Sequence, residues 1–226
     1  MSLAHTLDHQ LGLHSIPNVA PIVFVIDEDI VVRNSLERLI RSQGWQAETF
    51  QSAGEFLDQP RPFVPSCLVI DLSLPDGRGL ELQRKIARER PGMPIIVTSG
   101  HGDIPTTVQA MKAGAVDFLV KPFRQDVLLA AIRQGLERSR VTLDHEIEIR
   151  DLRNSYESLT PRERQVMGLV VSGLLNKQVG GELGISEITV KAHRAQVMQK
   201  MRANSLADLV RMGAKLQPAR YAIHLA

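Results

Sequence analysis

Five times between Pro21 and Arg140 a short apolar run gives way to a segment with helical spacing, and this alternation restricts the fold more than any other feature. Ile22 to Ile26 is an unbroken apolar run with two valines and two isoleucines, as in a strand buried on both faces. Val31, Val32, Leu36, Leu39 and Ile40 then recur at helical spacing, and Gly44 closes that helix. Trp45 to Phe50 reads as a second strand, residues 53–58 as a short helix, and Cys67 to Ile70 as a third strand. Leu80, Leu82, Ile86 and Ala87 mark a helix ended by Pro91, before a fourth strand at Ile95 to Val97. Val108, Met111 and Ala115 lie on the next helix, Phe118 to Val120 form a fifth strand, and residues 124–140 are a final helix. The expected fold of residues 21–138 is therefore α/β, a doubly wound five-stranded parallel sheet.

Beyond it the pattern changes. Residues 139–157 are charged, with Ile149, Leu152, Tyr156 and Leu159 three and four apart, which predicts a helical linker. Residues 158–216 read as a small all-α domain with turn signals at Gly173, Gly184 and Asn204. Residues 1–20 and 217–226 are expected to be tails; His5, His9 and His14 lack a tight ligand spacing. Charge divides the same way: residues 151–226 carry 11 Lys and Arg against 6 Asp and Glu, and the preceding 150 carry 16 against 19. A basic second part points to a polyanionic partner. Cys67, the single cysteine, cannot form a disulfide within the chain, which suits a reducing cytoplasm. No apolar stretch approaches the roughly 18 residues of a membrane span. The first twenty residues show neither a basic start nor a long apolar run, so no secretory signal is expected.

The residues just past each strand carry the chemistry. Asp27 and Glu28 follow the first strand, Asp71 the third, Ser99 the fourth, and Lys121 with Pro122 the fifth. In a parallel sheet these ends meet on one edge, where such folds bind ligands. Three carboxylates gathered there repel one another and call for a divalent cation, and an all-oxygen donor set suits magnesium. A carboxylate can attack phosphorus to form an acyl phosphate, while metal, lysine and hydroxyl share the transferred charge. Simpler roles compete: Asp27 or Asp29 could cap the helix from Ile30, and Lys-Pro is common turn chemistry.

The stretches VFVIDED (23–29), CLVIDLSLPDGRGLEL (67–82), PIIVTSG (94–100) and DFLVKPF (117–123) resemble the receiver domain of two-component response regulators, a flavodoxin-like fold. The resemblance implies that Asp71 accepts phosphate from a sensor histidine kinase. It implies that Asp27, Glu28, Asp71 and the Ser73 carbonyl hold Mg2+, and that Lys121 pairs with the phosphoryl group. Ser99, five residues past Pro94 and before Gly100, matches the switch hydroxyl, whereas alternation puts Thr98 on the other face. Phe118 matches the aromatic that turns inward when that hydroxyl binds phosphate. Glu28 stands where relatives usually have Asp, and Ser99 where Thr is commoner. His101 lies nearby and could steer water or simply belong to the loop.

In the C-terminal part, Thr160-Pro161 with Glu163 forms a capping box. Asn176 to Leu183 is a short helix ended by Gly184, and Ser186 caps a second helix running to about Met201. At about 100° per residue, Val190, Val197 and Met201 form one stripe, with Lys191, Ala192, Ala195, Gln196 and Gln199 opposite. Such a face can enter a major groove, with Lys177, Thr189 and Arg194 placed to touch phosphates. A solvated bundle face would look the same. ISEITVKAHRAQVMQKM, with the preceding LNKQV, is similar to the C-terminal helix-turn-helix domain of the NarL/FixJ family. This implies four helices, the last at Ser205 to Ala214 pairing two copies on a two-fold site in promoter DNA. Ala195 sits where relatives can carry a basic residue. The function so implied is a non-enzymatic transcription regulator that dimerises on phosphorylation, with RNA polymerase as a further candidate partner. Two rivals stand beside it. Asp27-Glu28-Asp29-Ile30-Val31 looks like the start of a haloacid-dehalogenase-type phosphatase, although the later strands supply no second acidic pair. A regulator whose output is protein binding is the other.

Overall fold

In a computed structural model, which describes residues 20–72 and 79–216, the apolar runs pair as one parallel sheet of order β2-β1-β3-β4-β5. The strands are β1 (Ile22–Ile26), β2 (Gln46–Phe50), β3 (Ser66–Asp71), β4 (Ile95–Ser99) and β5 (Ala115–Val120). The fourth and fifth run longer than the apolar pattern indicates. Backbone pairing carries β4 on to Ser99 and begins β5 at Ala115, a residue whose spacing predicts the preceding helix. Between the strands lie α1 (Ile30–Arg41), α2 (Ala53–Leu57), α3 (Gly79–Glu89) and α4 (Ile104–Lys112), and α5 (Gln125–Glu157) follows the last of them.

Strand alternation sorts the core into two layers. Val23, Val25, Cys67, Val69 and Ile96 face α1 and α5, packing on Leu36, Ile40, Leu128 and Ile132. Ile22, Phe24, Ile26, Leu68, Ile70 and Val97 face α2, α3 and α4, packing on Phe56, Ile86 and Ala110. The few aromatics are concentrated there: Phe56 meets Phe24 and Phe50 edge-on, at centroid distances of 5.3 and 5.6 Å. Fully burying a side chain of this kind contributes about 2–3 kcal/mol. Covered on both faces, the sheet leaves only its strand ends open to chemistry.

Two local features differ from expectation. Val31, counted in the apolar stripe of α1, is 71% exposed, while Arg33 is buried. The helix turns Arg33 inward because its guanidinium meets backbone carbonyls rather than apolar surface. The final helix and the predicted linker are one uninterrupted element, since α5 runs for 33 residues, about 50 Å. The chain divides within α5, between Asp144 and His145, into two compact units.

The second unit packs the end of α5 with α6 (Pro161–Val171), α7 (Asn176–Leu183), α8 (Glu187–Lys200) and α9 (Leu206–Leu216). Leu152 of α5 is buried with Val166, Val179, Val190, Val197 and Leu209, and Tyr156 packs on the same core. The end of α5 is thus part of this core and more than a spacer. Arg164 lies over the Tyr156 ring, and Lys215 of α9 pairs with Glu148 of α5. Thr160 closes the predicted capping box: its hydroxyl accepts from Glu163 N, and the Glu163 carboxylate accepts from Thr160 N.

Candidate phosphoacceptor site and nucleic-acid interface

Register brings the strand ends together. Ile26 lies beside Ile70, Asp71 beside Thr98, and Ser99 beside Val120, so Asp27, Asp71, Ser99 and Lys121 share one edge. This is the edge where the order reverses between β1 and β3, the switch point of a doubly wound sheet. Lys121 reaches across it. Its Nζ donates to Asp27 Oδ2 at 2.7 Å and to Asp71 Oδ2 at 2.8 Å, linking residues 94 and 50 positions away. Asp27, Asp71 and Ser99 are all buried. Burial alone pulls the Lys121 pKa down, but hydrogen bonds and attraction from Asp27 and Asp71 outweigh it, leaving the ammonium above its ordinary value.

The helix-capping alternative resolves in favour of Asp29. Its Oδ1 accepts from Val31 N at the start of α1, whereas Asp27 Oδ1 accepts from Asp29 N and leaves Oδ2 to Lys121. Glu28 does not join the other two carboxylates as expected; its residue is exposed. The chain bends at Glu28, where Arg33 holds the Asp27 and Glu28 carbonyls, and the Glu28 side chain lies in solvent while Asp27 meets Lys121. Among the described residues, no group of three or more His, Cys, Asp or Glu is placed to hold a metal. Ser73 lies outside the described residues.

The two hydroxyls differ in their partners. Thr98 Oγ1 is buried and donates to Ile70 O at 3.3 Å. Ser99 Oγ accepts from His101 N at 3.1 Å, a bond within its own loop. Phe118 is half-buried against the layer that contains Val97 and Ala110, and His101 is exposed. Arg33 is the site residue that sequence reasoning missed. Its Nη1 donates to Asp27 O at 2.6 Å and Glu28 O at 2.7 Å, fixing the turn that carries the first carboxylate. The available signal was a lone arginine within the apolar stripe of α1.

In the second unit, α7 and α8 meet across a three-residue turn. Gly184 adopts φ +64°, a left-handed conformation that glycine takes without a Cβ penalty, and ends α7. Gly180 lies so near the turn that a Cβ would come 2.8 Å from Ile185 O. Ser186 caps α8 through Thr189 N, and its hydroxyl also meets Thr189 Oγ1 at 2.8 Å. Val190, Val197 and Met201 are buried. Lys177, Thr189, Lys191, Ala192, Ala195, Gln196 and Gln199 are exposed. Lys191 pairs with Glu187 at 3.1 Å. Arg194 is half-buried, and its Nη1 donates to Asn176 Oδ1 at 3.1 Å, so it also ties α8 to the start of α7.

A parallel sheet with a lysine bridging two buried aspartates at its switch point, followed by a helix-turn-helix, defines a receiver joined to a DNA-binding unit. Residues 23–133 match the response regulator receiver domain, and residues 157–213 match the bacterial regulatory proteins of the luxR family. Nodulation protein W of Bradyrhizobium diazoefficiens is 50% identical over 205 residues, covering 91% of this chain and 90% of that protein. Response regulator protein TmoT of Ectopseudomonas mendocina is 43% identical, covering 92% of this chain and 94% of its own. The solved structure of response regulator StyR superposes with a TM-score of 0.78 at 47% identity, covering 87% of this chain and all of that one. The chain belongs to the response regulators that carry a luxR-type DNA-binding domain, the transcription regulators of two-component systems.

Proposed function

We propose that Asp71 is the phosphoacceptor, and that its phosphorylation by a sensor histidine kinase controls binding of the second unit to promoter DNA. The observation that carries this reading is the pair of bonds from Lys121 to Asp27 and Asp71. An Asp71 carboxylate oxygen attacks the phosphorus of a phosphohistidine; the P–O bond forms as the P–N bond breaks, and the imidazole leaves with the electron pair. Lys121 then exchanges a carboxylate partner for the phosphoryl oxygens. Two buried carboxylates facing one ammonium form an oxygen-rich, anionic donor set that fits Mg2+. Asp27, Asp71, the Ser73 carbonyl and a reoriented Glu28 would hold the ion, which when bound neutralises charge on the transferred group.

The switch turns on the proton of Ser99. Its oxygen accepts from His101 N, and a phosphoryl group on Asp71 offers its O–H an acceptor of high charge. Answering that group requires the β4–α4 loop to move, with Phe118 closing behind it, which biases a two-state element. The face that would respond carries Ile104, Val108 and Met111 on α4 and Val120 on β5, all exposed. Covering this apolar face with a second copy would give a dimer that presents two α8 helices together. Lys177, Thr189 and Arg194 would hold phosphates, and Lys191, Ala192, Ala195 and Gln196 would face the bases. Such a regulator works in the cytoplasm, with RNA polymerase as a further partner at the promoter. No helix among the described residues is long and apolar enough to cross a membrane.

The test uses acetyl phosphate as donor and mass spectrometry to locate the label. Label on Asp71, with tighter binding to selected promoter fragments that Asp71→Asn loses, supports the proposal. Label on Asp27 would favour the phosphatase reading, and DNA binding indifferent to the donor would remove the switch. Affinity should also fall steeply with salt, since phosphate contacts release counterions.

A further inference from the structure

We infer that Ile188, supported by Ala192 and Ala195, recognises thymine methyl groups in the major groove, making Ile188 a specificity-determining residue. The inference rests on the proposed docking of α8 in DNA and adds the base chemistry that this helix reads.

Ile188 is the second residue of α8 and is 79% exposed. At about 100° per residue it lies about 160° from Val190, directly away from the buried stripe. Ala195, Gln199 and Ala192 fall within about 40° of it on the same outward line, and all three are exposed. Singly exposed apolar residues are ordinary on protein surfaces. What separates Ile188 is its setting. It stands in the first turn of the helix, the end that reaches base edges when a helix-turn-helix docks. It is flanked by the Ser186 and Thr189 hydroxyls and by Lys191, within a segment carrying 11 basic against 6 acidic residues. A branched apolar side chain amid groups suited to phosphate is positioned to lose its hydration against a duplex.

The chemistry narrows the target. Ile188, Ala192 and Ala195 carry no hydrogen-bonding side-chain atom, so the middle of this face cannot read guanine or adenine through bidentate bonds. Among unmodified bases, only thymine presents a methyl group in the major groove, and apolar side chains recognise it by contact. Hydrogen-bond readout is left to Lys191 and Gln196 at the margins and to Gln199 at the far end of the same line.

The experiment replaces thymine by deoxyuridine, which removes that methyl and nothing else. Duplexes are first selected with the full chain and acetyl phosphate, and each thymine of the selected site is then replaced in turn. Affinity of the wild-type chain should drop about fourfold at one or two thymines per half-site, the factor for burying one methyl-sized group. Ile188→Ala, a substitution at an exposed helical position, should bind the original duplex more weakly and be indifferent to uracil at those positions. Tight wild-type binding with no uracil effect anywhere overturns the inference and leaves the DNA-binding proposal standing. Full uracil sensitivity in Ile188→Ala also overturns it. Failure of the wild-type chain to select any duplex removes both.

Discussion

From within α1, the Arg33 guanidinium donates to the carbonyl oxygens of both Asp27 and Glu28, at 2.6 and 2.7 Å. One buried arginine thereby holds the turn that aims the Asp27 carboxylate at Lys121. Arg33→Met keeps the apolar stem but leaves two carbonyls without their charged donor. We expect the first unit to lose about 2–4 kcal/mol. Trp45, the chain's single tryptophan, packs on the core of that unit, so its fluorescence during urea unfolding reads this loss selectively. Labelling of Asp71 by acetyl phosphate should slow in the same variant.

Lys121 gives a pH-dependent prediction. Its pKa is raised in the folded chain, so the stabilisation it supplies is complete below the unfolded value and is lost as pH rises through the folded one. Wild type should therefore be more stable than Lys121→Met at neutral pH. On the alkaline side, the gap should hold up to the ordinary lysine value of 10.5 and narrow above it. Melting of both chains by Trp45 fluorescence across that range checks it; a gap that persists undiminished would contradict the ion-pair account.

Two glycines should respond to alanine with opposite signs. A Cβ on Gly79 would come 2.6 Å from Leu72 O and 2.8 Å from Leu72 Cα, backbone that directly follows Asp71. Gly79→Ala should cost about 1–3 kcal/mol and slow phosphorylation. Gly168 lies inside α6 with open space around its Cβ position, so Gly168→Ala should gain about 0.5–1 kcal/mol. Chemical denaturation of the two variants against wild type decides both.

Glu163 predicts acid sensitivity in the second unit. A hydrogen bond from Lys200, at 2.7 Å, and another from Thr160 N hold its carboxyl below the ordinary value of 4.5. A lowered carboxyl pKa stabilises above the unfolded value, and that stability is lost as pH falls through the folded one. Amide exchange in α6 and α8 should be better protected in wild type than in Glu163→Gln at neutral pH. The two should converge on acidification below about 4.

Much of this molecule is written locally. The apolar runs of β1 and β3, the carboxylates and lysine that follow strands, and the caps at Thr160 and Ser186 are legible because alternation, helical spacing and capping act within a few residues. Motif order then allowed Asp71 and Lys121 to be paired before any distance was known. Other features depend on neighbours remote in sequence. That α5 continues from one unit into the next was hidden because its apolar face changes partners: Leu128 and Ile132 are buried with Val69 and Ile96, whereas Leu152 is buried with Val166 and Val190.

The amino-acid order by itself determined which segments become strands and helices and which reactive groups lie at their ends, since both follow from side-chain periodicity and local hydrogen bonding. Only the tertiary structure decided that Arg33 turns inward, that Glu28 stays in solvent, and that Lys121 spans two aspartates. Each of those outcomes is set by whether a charged group finds an oppositely charged or polar partner within about 3 Å, and that partner is supplied by the packed sheet and its helices.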